Sequence, residues 1–240
     1  MSTAHFHSGH PAQTPSLPGF QDRVQDAQAT FRVLLEALAH PGSDRPIPVH
    51  LASPAGLNLA CAAACLTLLD LDTPVWIQPT LSSEVKTWLL FHTGCQFTED
   101  PQAAAFALIN DPQIMPALNT FQVGTAEAPE ISTTLLIQVD NFHAGKSVSL
   151  TGPGIQHTQH LTVPGLPASF WTERLANIDL YPLGVDVFLF AEDRVVGLPR
   201  TTVSQQSTSV NPVNHGAYVE PIDLLISSGE IPDRLTLYGP

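Results

Sequence analysis

Apolar residues recur along this chain with two different periods, and the changes of period divide it into elements. Over 22–40, Phe31, Leu34, Leu35 and Leu38 follow the i, i+3, i+4, i+7 spacing of a helix with one buried face. Pro41-Gly42 stops it, because proline lacks the N–H of a further turn and glycine accepts a left-handed cap. A second helix is expected over 54–69, with Ser53 as N-cap and Pro54 at the first helical position. A third opens at Ser82 or Ser83 and runs to about residue 91, where His92-Thr93-Gly94-Cys95 ends it. Pro74-Val75-Trp76-Ile77 and the stretches 106–109 and 133–139 are short apolar runs, the mark of strands buried on both faces. Residues 147–150 and 155–163 instead alternate with period two, and 167–177 returns to a helix carrying Phe170, Trp171, Arg174 and Leu175. Helices and strands alternating around a strand-rich middle imply one α/β domain over 22–202 with a mixed central sheet.

Outside that span the periods fail. Residues 1–21 hold His5, His7, His10, Pro11, Pro15, Pro18 and Gly19 and are expected to form a flexible arm. Residues 203–240 form a C-terminal extension: a polar linker over 204–214, then a stretch over 218–238 with enough apolar residues to pack back.

The most informative stretch is 181–202, YPLGVDVFLFAEDRVVGLPRTT. After the Pro182–Gly184 turn, Val185, Val187 and Leu189 point one way and Asp186, Phe188 and Phe190 the other. Glu192-Asp193-Arg194 makes the return turn, 195–198 is the paired strand, and Pro199 ends the pairing. Asp186 interrupts an apolar run, and Arg200 stands beside the hydroxyls of Thr201 and Thr202. A guanidinium beside hydroxyl donors suits a carboxylate or phosphate, so Arg200 either holds a ligand anion or locks the hairpin end onto Asp186.

Composition narrows the partners. The chain has 240 residues, 43% of them hydrophobic and 13% charged, which is ample for an unstapled core. Its formal net charge of -13, from 22 acids against 9 Lys+Arg, leaves no basic footprint for nucleic acid or an anionic membrane. Cys61, Cys65 and Cys95 do not make a disulfide framework. The N-terminus lacks a basic region followed by an apolar core, and the longest mainly apolar run, 57–69, is shorter than the roughly 20 residues of a spanning helix. A cytoplasmic location is expected.

Several chemical motifs fail on inspection. His5, His7 and His10 are irregularly spaced, so no metal is expected there. Cys61 and Cys65 lie one helical turn apart but have no third ligand nearby, which leaves them as small buried side chains. His92 and Cys95 have the residue types of a nucleophile pair, yet His92 at a helix C-terminus also serves as a cap. Gly145-Lys146-Ser147 resembles the end of a phosphate-binding loop, but the glycine required upstream is Asp140. Gly152-Pro153-Gly154 resembles part of a dinucleotide motif, but His157 stands where its third glycine belongs.

Taken in order, a set of short blocks resembles one family, the PhnH subunit of the bacterial carbon–phosphorus lyase system. The blocks are Phe31-Arg32 with Leu35, Leu38 and Pro41-Gly42; 68–76 (LLDLDTPVW); Phe91-His92-Thr93; Pro129-Glu130 with Thr134-Leu135; 150–155 (LTGPGI); 182–186 (PLGVD); and 198–202 (LPRTT). The resemblance implies a three-layer α/β/α fold like that of pyridoxal-phosphate-dependent transferases, without that cofactor, and a homodimer. Neither lysine, Lys86 or Lys146, lies in a context that suggests a Schiff base. The resemblance further implies a non-catalytic or substrate-gating subunit of a core complex with PhnG, PhnI and PhnJ. That complex supports transfer of a phosphonate to the ribose C1 of ATP with release of adenine, with the nucleosidase-type chemistry assigned to PhnI. No cofactor and no catalytic residue carry over. The candidate anion or substrate contacts are Arg200, Thr201 and Thr202, with Asp186, Arg32 and His92. The alternative is a stand-alone α/β enzyme on a small anionic metabolite, using Asp186, His92 or Cys95.

Overall fold

The computed structural model describes residues 17–206. In chain order the elements are α1 (Arg23–Ala39), β1 (Arg45–Pro46), α2 (Leu59–Leu68), β2 (Pro74–Ile77), α3 (Ser83–Thr93), β3 (Gln96–Thr98), β4 (Phe106–Ile109), β5 (Thr134–Gln138), β6 (Ser147–Thr151), β7 (Gln159–Thr162), α4 (Phe170–Ile178), β8 (Asp186–Ala191), β9 (Arg194–Leu198) and β10 (Val203–Gln206). Seven strands form one mixed sheet in the order β1-β9-β8-β5-β4-β2-β3. From β3 to β8 all neighbours run parallel, whereas the β8–β9 and β9–β1 pairs are antiparallel. From β2 the chain first adds β3 on one side, then crosses back to place β4, β5 and β8 on the other.

The apolar runs read as buried strands are covered on both faces. Leu136, Phe188, Phe190 and Val195 join α1, α2 and α3 in one core. Leu135, Ile137, Val187, Leu189 and Val196 face the other way, onto Phe170 and Trp171 of α4 and onto Val148 and Leu161. The second outer layer differs from the expected set of helices. It combines α4 with an antiparallel sheet, β10-β6-β7, because 147–162 alternates and so prefers a strand pair.

Several local expectations are corrected. α1 forms with Asp22 capping Val24 and Gln25, but Phe31 and Leu35 are 51% and 57% exposed. Thr30, Leu34 and Ala37 face inward instead. The reason lies in β9: a Cβ on Gly197 would come within 2.5 Å of the Ala37 carbonyl oxygen, so α1 packs almost backbone to backbone there and is turned with Ala37 at the contact. α2 begins at Leu59, not near Pro54, because Asn58 accepts the Cys61 N–H at 2.8 Å while the 54–57 segment closes as a turn. Leu17 and Phe20, expected in a flexible arm, pack against the core. Residues 204–206, expected to begin the linker, instead belong to β10, paired with β6. His5, His7, His10, the rest of the expected linker and the 218–238 stretch lie outside the described residues. Among the described residues no helix is long and apolar enough to cross a membrane.

Candidate functional sites at the two edges of the sheet

At the amino edge of the parallel strands, β8 opens with Asp186, and antiparallel β9 ends beside it through the Val187–Leu198 register. Pro199 ends the ladder and turns Arg200 back onto Asp186. Arg200 donates through Nε to Oδ1 and Oδ2 at 3.3 and 3.2 Å and through Nη2 to Oδ2 at 2.6 Å, while its backbone N–H donates to Oδ1 at 2.7 Å. Nη2 also donates to Ser132 Oγ at 2.6 Å, and Nη1 donates to the Pro129 and Pro182 carbonyls, both at 3.1 Å. The acceptors therefore occupy every donor position of the fork. The two side chains are only 15% and 22% exposed, so solvent screens the pair weakly. An external anion would have to displace one of these acceptors. Thr201 is half-buried beside the fork. Thr202 donates its N–H to the Pro199 carbonyl at 2.9 Å, and its buried hydroxyl has no partner among the described residues.

Behind this knot lies Arg174 of α4, 1% exposed. It donates through Nη1 to the Val185 carbonyl at 3.2 Å and through Nη2 to the Pro199 carbonyl at 2.6 Å. Burial pulls its pKa down to about 10, with the Asp186 charge opposing the fall and Arg200 adding to it. Sequence reading places Arg174 on the helix without assigning it a role. Its i, i+4, i+7 spacing with Phe170 and Asn177, all three buried, is the signal that marks it as inward-facing.

The other candidates do not join this group. Arg32 is exposed on α1. His92 Nε2 lies 2.9 Å from the Leu17 carbonyl, and its ring meets Trp88 and Phe91 edge-on. The helix cap beside it is Gly94, in the left-handed conformation. Cys95 is buried, and desolvation pushes its thiol pKa up, the opposite of an activated nucleophile. Cys61 is raised well above its ordinary value, first by burial and then by its neighbour Cys65.

At the carboxyl edge, the loops after β4 and β5, the start of α2 and Pro164-Gly165 after β7 line an open-mouthed cavity of about 310 Å3. Asn58, Asn110, Asp111, Gln113, Gln138 and Asp140 supply its polar lining. Buried Gln78 fixes one wall, accepting from the Asn110 and Asp111 N–H groups at 3.0 and 2.9 Å and donating to the Asp111 carbonyl at 2.9 Å. Gln138 fixes another, accepting from Asn58 N–H at 2.7 Å and donating to the Gly56 carbonyl at 2.8 Å. The sequence carried a signal for this site: strands β2, β4 and β5 each run straight into an amide or acid, as PVWIQ, FALIND and LLIQVD.

The family model for "Bacterial phosphonate metabolism protein (PhnH)" matches residues 18–205, nearly the whole described fold. The chain belongs to the PhnH family. One PhnH relative, the "Alpha-D-ribose 1-methylphosphonate 5-triphosphate synthase subunit PhnH" of Rhizobium meliloti (strain 1021), is 39% identical over 184 residues, 76% of this chain and 92% of that protein. HtxG of Stutzerimonas stutzeri, provisionally named as a C-P lyase subunit protein, is 33% identical over 175 residues, 73% of this chain and 84% of its own length.

Four of the blocks that carry the PhnH resemblance meet at the amino edge. Pro129-Glu130 supplies one carbonyl, PLGVD supplies the Pro182 carbonyl and Asp186, and LPRTT supplies Arg200. The LTGPGI turn packs on the same strand end: a Cβ on Gly152 would come within 2.8 Å of the Thr201 carbonyl, and one on Gly154 would strike the Ala39 carbonyl. Its glycines thus serve close backbone packing rather than a phosphate.

Proposed function

We propose that this chain is a non-catalytic or substrate-gating subunit of a carbon–phosphorus lyase core complex. In this reading it acts in the cytoplasm beside PhnG, PhnI and PhnJ subunits. It supports transfer of a phosphonate to the ribose C1 of ATP, with release of adenine. The observation that carries the reading is the family match over 18–205, together with a relative named as a synthase subunit that aligns over 92% of its length. The side-chain geometry supports a supporting role: Asp186 is held by Arg200, His92 sits against Leu17, and the Cys95 thiol is buried. Arg200, with Thr201 and Thr202, takes the locking role in this reading, and the phosphate-binding cations come from partner subunits.

A homodimer belongs to the same proposal. Val24, Phe31 and Leu35 leave an apolar stripe exposed on α1, the kind of surface that association covers. So does the family's likeness to the pyridoxal-phosphate transferase fold, without the cofactor. Lys86 lies on α3 and Lys146 just before β6, and no lysine lines the carboxyl-edge cavity.

The test is co-expression of the full chain with PhnG, PhnI and PhnJ. Co-elution as one complex, with adenine release that falls when this chain is omitted, is the expected result. Failure to co-elute, or turnover by this chain alone, would overturn the reading. Within the complex, Arg200→Ala should lower the melting temperature and leave substrate affinity unchanged. Weakened affinity at unchanged stability would instead make Arg200 an anion contact.

A further inference from the structure

Open parallel sheets bind ligands outside the carboxyl ends of their strands, at the point where successive connections leave in opposite directions. Here that point lies between β2 and β4, since β2 connects outward to β3 and β4 connects the other way to β5. The carboxyl-edge cavity stands beside it, on the loops after β4 and β5 and the N-cap of α2. Its volume of about 310 Å3 falls at the small end of ligand sites, which span roughly 300–1,000 Å3. The lining amides are already bonded to backbone or to a hydroxyl: Asn58 donates to the Phe190 carbonyl at 3.1 Å, and Asn110 Oδ1 accepts from the Thr80 hydroxyl at 2.7 Å. The cavity is therefore shaped before any ligand arrives.

The acids decide what it takes. Asp140 has no hydrogen-bond or ion-pair partner among the described residues, although it lines the cavity. Asp111 uses Oδ1 to accept the Gln113 N–H at 3.1 Å, which leaves Oδ2 open. Among the described residues, no lysine, arginine or histidine lines the space. Two carboxylates without a cation repel phosphate and favour a ligand that donates hydrogen bonds. Paired hydroxyls on adjacent carbons match the two oxygens of a carboxylate, and an acid at this edge of nucleotide-binding sheets takes ribose hydroxyls.

We infer that the cavity binds the ribose of a nucleoside, with the Asp140 carboxylate accepting from its vicinal diol and any phosphates lying outside. This deepens the proposed subunit role, and it rests on that role for the choice of a nucleoside as occupant.

The experiment is a calorimetric titration of the full chain with adenosine, with 2′,3′-dideoxyadenosine and inorganic phosphate as comparison probes. Adenosine should bind saturably. Both the dideoxy analogue on the native chain and adenosine on Asp140→Asn should bind about tenfold more weakly, the loss of roughly one charge-assisted hydrogen bond. Because Asp140 has no partner among the described residues, the variant should melt at the native temperature, so weaker binding would not reflect unfolding. Absence of adenosine binding at millimolar concentration would overturn the inference. So would equal affinity for the dideoxy analogue, undiminished binding by Asp140→Asn, or displacement of adenosine by phosphate. Co-elution with the other subunits is scored separately: a chain that co-elutes but ignores adenosine defeats only this inference, and one that binds adenosine but does not co-elute defeats only the subunit reading.

Discussion

The two edges of the central sheet hold similar polar groups in opposite states. At the amino edge, Arg200 and Asp186 are largely buried, and protein acceptors occupy the guanidinium fork. At the carboxyl edge, Asp140 is exposed and without a partner among the described residues, and Asp111 keeps one oxygen open to them. A saturated charged group holds segments together, here the 129–132 loop, the Pro182 turn and the ends of β8 and β9. An unsaturated one is available to something else. Charge alone does not separate the two: protein acceptors saturate the conspicuous arginine, and the inconspicuous aspartates line the cavity.

The sharpest way to break the contrast is to empty the amino edge from behind. Arg174→Ala should cost about 3–5 kcal/mol in urea unfolding, because it removes a large, fully buried side chain. Arg174→Met should stay within about 1 kcal/mol of the native chain, since it keeps most of the volume at a site where charge burial is itself costly. The Val185 and Pro199 carbonyls would still accept from Asn177 Nδ2 and the Thr202 N–H. Equal losses in the two variants would make the charge itself indispensable.

Next in size is Asp186→Ala, with an expected loss of about 2–4 kcal/mol, because it strands a largely buried guanidinium and the Arg200 N–H. Chemical unfolding at two salt concentrations would check it, and a strongly salt-dependent loss would show a screened surface pair instead.

A smaller effect follows from the lowered pKa of Arg174, about 10 in the folded chain and so below the ordinary arginine value it regains on unfolding. Between those values the unfolded state binds more protons, so stability rises with pH through that window. Measured as the difference in melting temperature between the native chain and Arg174→Met, the gap should move in favour of the native chain from pH 9 to pH 10.5. A flat difference would mean that the buried group keeps its ordinary pKa.

The smallest expected effect is at the other edge. Asp140→Asn should change stability by no more than about 0.5 kcal/mol, as for other surface changes without contacts. A loss as large as that of Asp186→Ala would erase the distinction between the two edges.

Much of this was legible in the chain. The helical spacing marked α1, the uninterrupted apolar runs marked β2, β4 and β5, and alternation marked the β8–β9 hairpin together with its odd acid and arginine. The buried face of α1 was not legible, because Phe31 and Leu35 read as core until Gly197 is seen to draw the backbone of α1 against β9. Nor were β1 and β3, of two and three residues, whose pairing comes from neighbours distant in sequence. Arg174 was hidden by its charge, and the cavity by the separation in sequence of Asn58, Asp111 and Asp140.

By itself, then, the sequence determined the elements and the family, because hydrophobic period, turn residues and ordered motifs are properties of neighbouring positions. Only the tertiary structure decided which charges are satisfied. A guanidinium finds its acceptors, and an aspartate fails to find a donor, through the register and crossovers of strands that lie far apart along the chain.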